Sequence, residues 1–348
     1  MVIENRTGVD APRIDIYRIR GEIVISQHRP AVLAHLAGMG VTQALALVPT
    51  MLPICGMAQS VAALRAVEAA REEEAAGREL HRDRHLWREQ ALSAAWRLAV
   101  DWPDLLSLPR ELAWLKAVRA GTDEQVAALL DKALAGLDDV ATTEDLAAWA
   151  GEGNSVAAAL ARRALSLAPE AASAPLQVEA LPAGALSARA RTLLANADYH
   201  PGAAMPGAVE VGPLAMGRDS LVGAILDQSG HSTRSRLLAL LADMRCIIAG
   251  LAGRVATDGS LPTAWPETDL AGTGCAITAR GPVFHRVELD ERERVRNWRA
   301  LAPTDWHFAP GGPVAAAMAD CHEEARGRLA VASFDPCAPW SLQLAGGS

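Results

Sequence analysis

Cysteine is scarce in this chain. The five that occur in 348 residues (Cys55, Cys246, Cys275, Cys321 and Cys337) are an odd number at wide spacing. That pattern argues against a disulfide framework and favours a reduced, cytoplasmic protein. Positive charge is in deficit as well: 33 Lys plus Arg stand against 41 Asp plus Glu, a net charge of -8. No contiguous Lys/Arg block reverses that balance, which argues against nucleic acid as a main partner. Met1 is not followed by a basic patch and an apolar run, so no secretory leader is expected. The most apolar stretch, Ala31 to Ala58, is interrupted by His35, Gln43, three glycines and two prolines, so a membrane span is not expected. A P-loop, a GxGxxG after a strand and a GxSxG elbow are all missing.

What is present has a globular balance, with half the residues apolar and 21% charged, in a chain long enough for a real core. IDIYRIRGEIVIS, from Ile14 to Ser26, alternates about Gly21 and predicts a small hairpin. Pro30 to Leu52 reads as mostly buried helix, and Pro49 and Pro53 are expected to break the chain before Cys55. Ala58 to Val100 predicts helix, with the polar stretch Glu68 to Arg84 either a solvated end or a bend between two helices. Ala/Leu helices follow from Pro109 to Leu167, broken near Gly121 and Gly151–Gly153; Leu167 to Gly217 reads as loop and short pieces. Ser220 to Ala256 returns to helix, Leu270 to Leu289 predicts one or two strands, and Gly311 to Arg328 predicts a last helix before Cys337. With no βαβ alternation and no clean linker, the expectation is one domain over 1–348, mainly α with minor β (α+β).

Cys55 and Cys337 are the candidate ligands, because only a thiolate offers a soft anionic metal ligand. Cys55 follows a proline break and precedes a helix, whose N-terminus should favour the thiolate; Cys337 follows the turn-forming pair Asp335-Pro336. The bland alternative for each is a buried, inert cysteine. Arg280, in the apolar surround TARGPVFH, needs a carboxylate, carbonyls or an anionic ligand, and a structural salt bridge would serve. His81 and His85 have a metal-pair spacing but lie among solvated charges and read as surface; Glu72, Glu73 and Glu74 read as a wet helix face. Cys321-His322 reads as surface or core filler, Trp306 as packing, and Gly212-Pro213 as a fixed turn.

These pieces, taken in order, resemble the large subunit of nickel–iron hydrogenases. RIDIYRIRGEIV is similar to that family's opening hairpin, and ICGMAQSVAALRAVEAA to the segment around its first cysteine motif, R-x-C-G-x-C-x-x-x-H. VEVGPLA, ARGPVFHRVEL with ALAPTDWHFAP, and SFDPCAPWSLQ resemble its internal and closing motifs, the last being D-P-C-x-x-C-x-x-H. The resemblance implies a large-subunit-like helical core with the N-terminal hairpin. It places Cys55 at a cysteine that bridges nickel and iron and Cys337 at a nickel-only one. Leu52 and Trp340 then replace the other two cysteines, and Gln59 and Gln343 replace both motif histidines. A relay glutamate aligns near Val9, the middle is shortened, and no cleavable tail follows Gln343.

Leucine and tryptophan cannot substitute for thiolates, so no nickel is expected. What remains suits the iron half. The resemblance implies that Arg280 and Thr304 hydrogen-bond the cyanide and carbonyl ligands of an Fe(CN)2CO unit held transiently by Cys55 and Cys337. Such a chain is similar to hydrogenase assembly proteins of the HupK/HoxV kind, which implies a scaffold and not an enzyme. The partners implied are a HypC-like small chaperone, HypD-type maturation proteins and the hydrogenase large subunit. The competing readings are a non-metal mimic that binds the same partners and a degenerate hydrogenase.

Overall fold

Strand β1 (Arg13–Ile19) turns back into β2 (Glu22–His28) through Arg20 and Gly21, both at positive φ (50° and 88°). Two positive-φ residues make the tight turn whose twist matches an antiparallel pair. Ile14 and Ile16 face the core. This computed structural model describes residues 12–73, 79–167, 178–180, 183–203, 205, 207–254, 264–268 and 270–344. The positions of Val9 and Glu74 lie outside them, as does part of the stretch from Leu167 to Gly217.

Two short 3-10 turns and α1 (Val41–Met51) lead to α2 (Gly56–Ala70), which departs at 94°. Pro49 does not break α1, contrary to expectation; it sits inside the helix, and the bend falls at Leu52–Pro53. Pro30 to Leu52 is also less buried than expected, with Leu33, Leu36, Val41, Ala44 and Val48 carrying its core face. No single helix among the described residues is long and apolar enough to cross a membrane.

The expected bend between two helices separates α2 from α3 (Glu79–Trp96). Glu68 and Arg82 in that polar stretch are buried against each other, with Arg82 Nη1 2.8 Å from Glu68 Oε2. Five short helices follow: α4 (Trp102–Leu106), α5 (Leu112–Ala120), α6 (Asp123–Ala133), α7 (Thr143–Glu152) and α8 (Val156–Leu165). Capping boxes on Thr122 and Thr142 start α6 and α7.

The stretch read as loop contains β3 (Val178–Ala180), β4 (Ala208–Glu210) and a three-turn helix, α9 (Ala183–Ala195). Leu186, Ala190 and Leu194 lie at helical spacing on its buried face. After α10 (Pro213–Met216) and α11 (Ser220–Ser229), helix α12 (Thr233–Leu251) is buried nearly all round and forms the axis of the largest core cluster, with α3 and α5 to α8 about it.

The four-stranded sheet is an antiparallel meander: β5 (Ala264–Thr268), β6 (Ala271–Thr278), β7 (Gly281–Leu289) and β8 (Val295–Leu301). The sequence predicts only its two central strands. Helix α2 lies directly on β6. A Cβ on Gly274 would stand 2.2 Å from the Ala62 carbonyl oxygen, and one on Gly272 2.4 Å from the Ala70 nitrogen. Glycine is therefore what lets helix and strand touch backbone to backbone.

The chain closes with α13 (Pro303–His307), α14 (Pro313–Met318), α15 (Glu324–Ala332) and β9 (Trp340–Gln343). The single last helix expected from Gly311 to Arg328 is thus two, separated around Cys321. β9 adds to the opening hairpin in parallel with β1, pairing Ile14 with Trp340 and Tyr17 with Gln343. The two ends of the described chain are tied into one sheet.

Candidate functional site

The bend at Leu52–Pro53 sets Cys55 at the head of α2, 7% exposed between exposed Ile54 and Met57 (49% and 39%). Its thiol does not cap the helix. Glu89, from α3, accepts hydrogen bonds from the Met57 and Ala58 nitrogens at 2.7 and 3.0 Å and so neutralises the helix terminus. The thiol is left to Arg280, whose Nη1 donates to Cys55 Sγ at 3.4 Å.

The helix terminus does not produce the low thiol pKa expected of Cys55. Burial pushes the Cys55 thiol up to about 12; Arg280 pulls against it, while Cys337, Glu89 and Asp335 add to the rise. Loss of solvation outweighs one cation once a carboxylate already occupies the helix terminus.

Arg280 sits in the turn from β6 to β7, where its N–H donates to Thr278 Oγ1 at 3.0 Å. A Cβ on Gly281, at φ 124°, would meet the Val211 carbonyl oxygen at 2.1 Å, so glycine is required beside it. The guanidinium Nε donates to the Asp335 carbonyl at 2.8 Å and lies 3.1 Å from its Oδ2. Burial opposes the Arg280 charge, but Asp335 and the two thiols outweigh it and raise its pKa. The salt bridge weighed for this arginine exists, and so does a contact to a thiol.

Asp335 is clamped from its other side by Arg97, whose Nε donates to Oδ2 at 2.9 Å and whose Nη2 donates to the Ala279 carbonyl at 2.9 Å. Burial opposes the Asp335 charge; Arg280 and Arg97 prevail and hold its carboxyl below the ordinary carboxylate range. Its φ of 47° is left-handed, a conformation aspartate adopts more readily than most side chains. The Asp-Pro pair thus turns the chain and also anchors two buried guanidinium groups.

Cys337 follows in the same turn and is half-buried. Its backbone N–H donates to Thr304 Oγ1 at 3.3 Å, and that oxygen lies 2.9 Å from Cys337 Sγ. Because the hydroxyl accepts the amide proton, its own hydrogen is free for the sulfur, the arrangement a thiolate favours. Arg29, paired with Asp305 on α13, is a second guanidinium near Cys337. Cys55, Cys337, Arg280 and Thr304 therefore form one centre, and both thiols act on Arg280.

The four replaced positions have other occupations. Gln59 Oε1 is 2.6 Å from His285 Nε2, while Trp298 Nε1 donates to His285 Nδ1 at 2.9 Å. His285 therefore carries its proton on Nε2, and burial lowers its pKa to about 3. Leu52 packs into the α1 cluster. Trp340 is half-buried with Arg328 over its ring at 5.2 Å, and Gln343 is exposed on β9. Among the described residues no three His, Cys, Asp or Glu side chains gather as a metal site.

Behind Arg280 lies a narrow cavity whose lining includes Glu210, Gly212, Arg236, His307 and Asp335. Arg236 grips Glu210 by two bonds of 3.0 Å, and the Val211 N–H donates to His307 Nε2 at 3.1 Å. Sequence reasoning passed over Arg97, Glu89, Arg29, Arg236 and His307. All but His307 come from parts of the chain outside the motifs already singled out, and His307 lies on α13 with Thr304. Gly212-Pro213 is the fixed turn expected, capping α10; Trp306 is buried packing; Cys321 is buried and His322 exposed.

No family model matches the chain. Curated relatives do match. Hydrogenase expression/formation protein HupK of Rhizobium leguminosarum bv. viciae is 32% identical over 130 residues, 34% of this chain and 35% of that protein. HupV of Azotobacter chroococcum is 40% identical over 78 residues, covering 21% and 22%, and HoxV of Cupriavidus necator 34% over 76, covering 19% and 20%. The matches thus span about a third of these relatives' length or less.

The fold match is much longer. An NAD+-reducing [NiFe]-hydrogenase in the H2-reduced state superposes with a TM-score of 0.54 at 17% identity, over 91% of this chain and 93% of that one. The Ni-Fe-Se hydrogenase of D. vulgaris Hildenborough gives 0.51 at 13%, over 92% and 94%. The α+β fold is that of nickel–iron hydrogenase large subunits, as the sequence resemblance implies, and the curated relatives carry the HupK, HupV and HoxV names.

Proposed function

We propose that this chain is a cytoplasmic hydrogenase assembly factor that holds an Fe(CN)2CO unit as cargo, for delivery to a nickel–iron hydrogenase large subunit. One observation carries the reading: two thiols converge on a single buried arginine, while leucine and tryptophan stand where a nickel site would need two more. The donor set fits the iron fragment. Cys55 and Cys337 would supply thiolates, and Arg280 and Thr304 would present N–H and O–H donors, which buried cyanide nitrogens require. A HypC-like chaperone and HypD-type proteins are the partners proposed to load the cargo past Ile54 and Met57. The names of the relatives support an assembly role, and the missing thiolates speak against catalysis.

A non-metal mimic of the large subunit is the second reading. The Cys55 thiol favours it, because at a pKa of about 12 this group is protonated at rest. Cargo binding must then displace a proton, so retention should strengthen as pH rises. The deciding experiment is infrared spectroscopy of the protein purified anaerobically with its partners. Cyanide and carbonyl bands that disappear in Cys55→Ala support the cargo reading. Bands absent from the wild-type complex overturn it in favour of the mimic, and bands unchanged in Cys55→Ala overturn Cys55 as the ligand.

A further inference from the structure

Helix α3 carries a pair of histidines, different in kind from the two thiols. His81 and His85 are exposed one helical turn apart, and their Nε2 atoms stand 3.2 Å from each other with the rings at 74°. Two nitrogens bound to one ion at ~2.0–2.1 Å are necessarily about 2.9–3.4 Å apart, from the right-angled to the tetrahedral arrangement. The observed separation falls inside that window without rotamer change. We propose that His81 and His85 form a bidentate site for a borderline divalent transition ion, of the nickel, copper or zinc class, which neutral imidazole suits.

The surrounding charge permits a cation, although the sequence reads as a stretch of solvated charges. Among the described residues, the arginines near the pair are engaged with carboxylates. Arg84 and Arg88 both bind Asp123, at 2.7 and 3.0 Å, and Arg82 binds Glu68 and Glu79. Arg65 is drawn to Glu79 and Asp83. The four guanidinium groups are matched by the four carboxylates of Glu68, Glu79, Asp83 and Asp123, and Glu124 adds a further negative charge near Arg84. With no third protein ligand among the described residues, the ion keeps solvent or partner ligands, and the site is an exchangeable one.

The test uses the untagged full chain. It should be retained on immobilised Ni2+ and released by imidazole, and calorimetric titration with Ni2+ and Zn2+ should show one surface site. His81→Ala and His85→Ala should each elute earlier and lose affinity on the order of tenfold or more, because the second imidazole no longer binds intramolecularly. Both residues are exposed, so folding is not at stake. Combining Leu80→His with His81→Ala keeps the number of histidines but sets them five residues apart, ~140° around the helix, and should behave like His81→Ala. Wild-type retention and affinity in either single variant, or full recovery in the shifted pair, would overturn the proposal. So would binding that vanishes in Cys55→Ala while both histidine variants bind normally.

Discussion

Cys55 is buried at the head of a helix, with Arg280 as its hydrogen-bond donor and Glu89 occupying the helix terminus beneath it. Cys337 lies half-buried in a turn, with a hydroxyl against its sulfur and a second guanidinium, Arg29, nearby. The first half is built on the rigid contact of α2 with β6. The second is built where β9 returns to the opening hairpin. Desolvation holds the proton on Cys55, whereas Cys337 is half-buried with the Thr304 hydroxyl 2.9 Å from its sulfur. The difference assigns the halves distinct tasks within the proposed function. In that proposal the Cys55 half would be the drier, fixed position and the Cys337 half the more accessible sulfur.

Asp335 joins the halves, so its removal should have the largest effect on stability. Asp335→Ala leaves Arg97 and Arg280 buried without their shared carboxylate, and a loss of ~3–5 kcal/mol is expected from breaking such a pair. Denaturant titration measures it. A loss under about 1 kcal/mol would mean that each half stands alone.

Acid should weaken both halves through two buried histidines, His285 behind Gln59 and His307 on α13. Burial lowers their pKa values to about 3 and 4. The unfolded chain takes up both protons near pH 6.5 and the folded protein does not. Their contribution to stability is therefore complete above that pH and declines as pH falls toward 4. Each group adds ~1.4 kcal/mol per pH unit to the slope in that window. His307→Asn should remove about one group's share, and an unchanged slope would exclude His307 as a buried neutral imidazole.

Thr304→Val should give the smallest change. It keeps the shape, removes the hydroxyl from Cys337 and costs about 1 kcal/mol. Its signature is chemical: alkylation of Cys337 should slow while that of Cys55 stays constant. Equal rates before and after would separate the hydroxyl from the sulfur's reactivity.

Local patterns made part of this readable in advance. The hairpin shows in the alternation around Gly21, and Cys55, Cys337, Arg280 and Thr304 each sit in a short motif with its own spacing. What supplies the electrostatics does not. Arg97 meets an aspartate 238 positions away and Glu89 caps a helix begun 33 positions earlier, relations that no window of sequence contains. The low thiol pKa expected for Cys55 failed for the same reason: the helix terminus is a local feature, but the carboxylate that fills it and the burial that outweighs it are not. Helix α9 escaped because the Pro, Ala, Ser and Gly around it mask a buried apolar stripe of only three positions, Leu186, Ala190 and Leu194. β8 and β9 are fixed by their neighbours more than by their own composition.

The pairing of β1 with β9 also places the centre in time. On a growing chain the segment with Cys55 emerges 282 residues before Cys337, roughly 15–55 s earlier at ordinary rates of synthesis. Throughout that interval the hairpin has an unfilled edge, and Arg280, once made, waits a further 55 residues for Asp335. A two-thiol centre can appear only after the last strand docks, so the capacity to receive cargo would itself report that folding has finished.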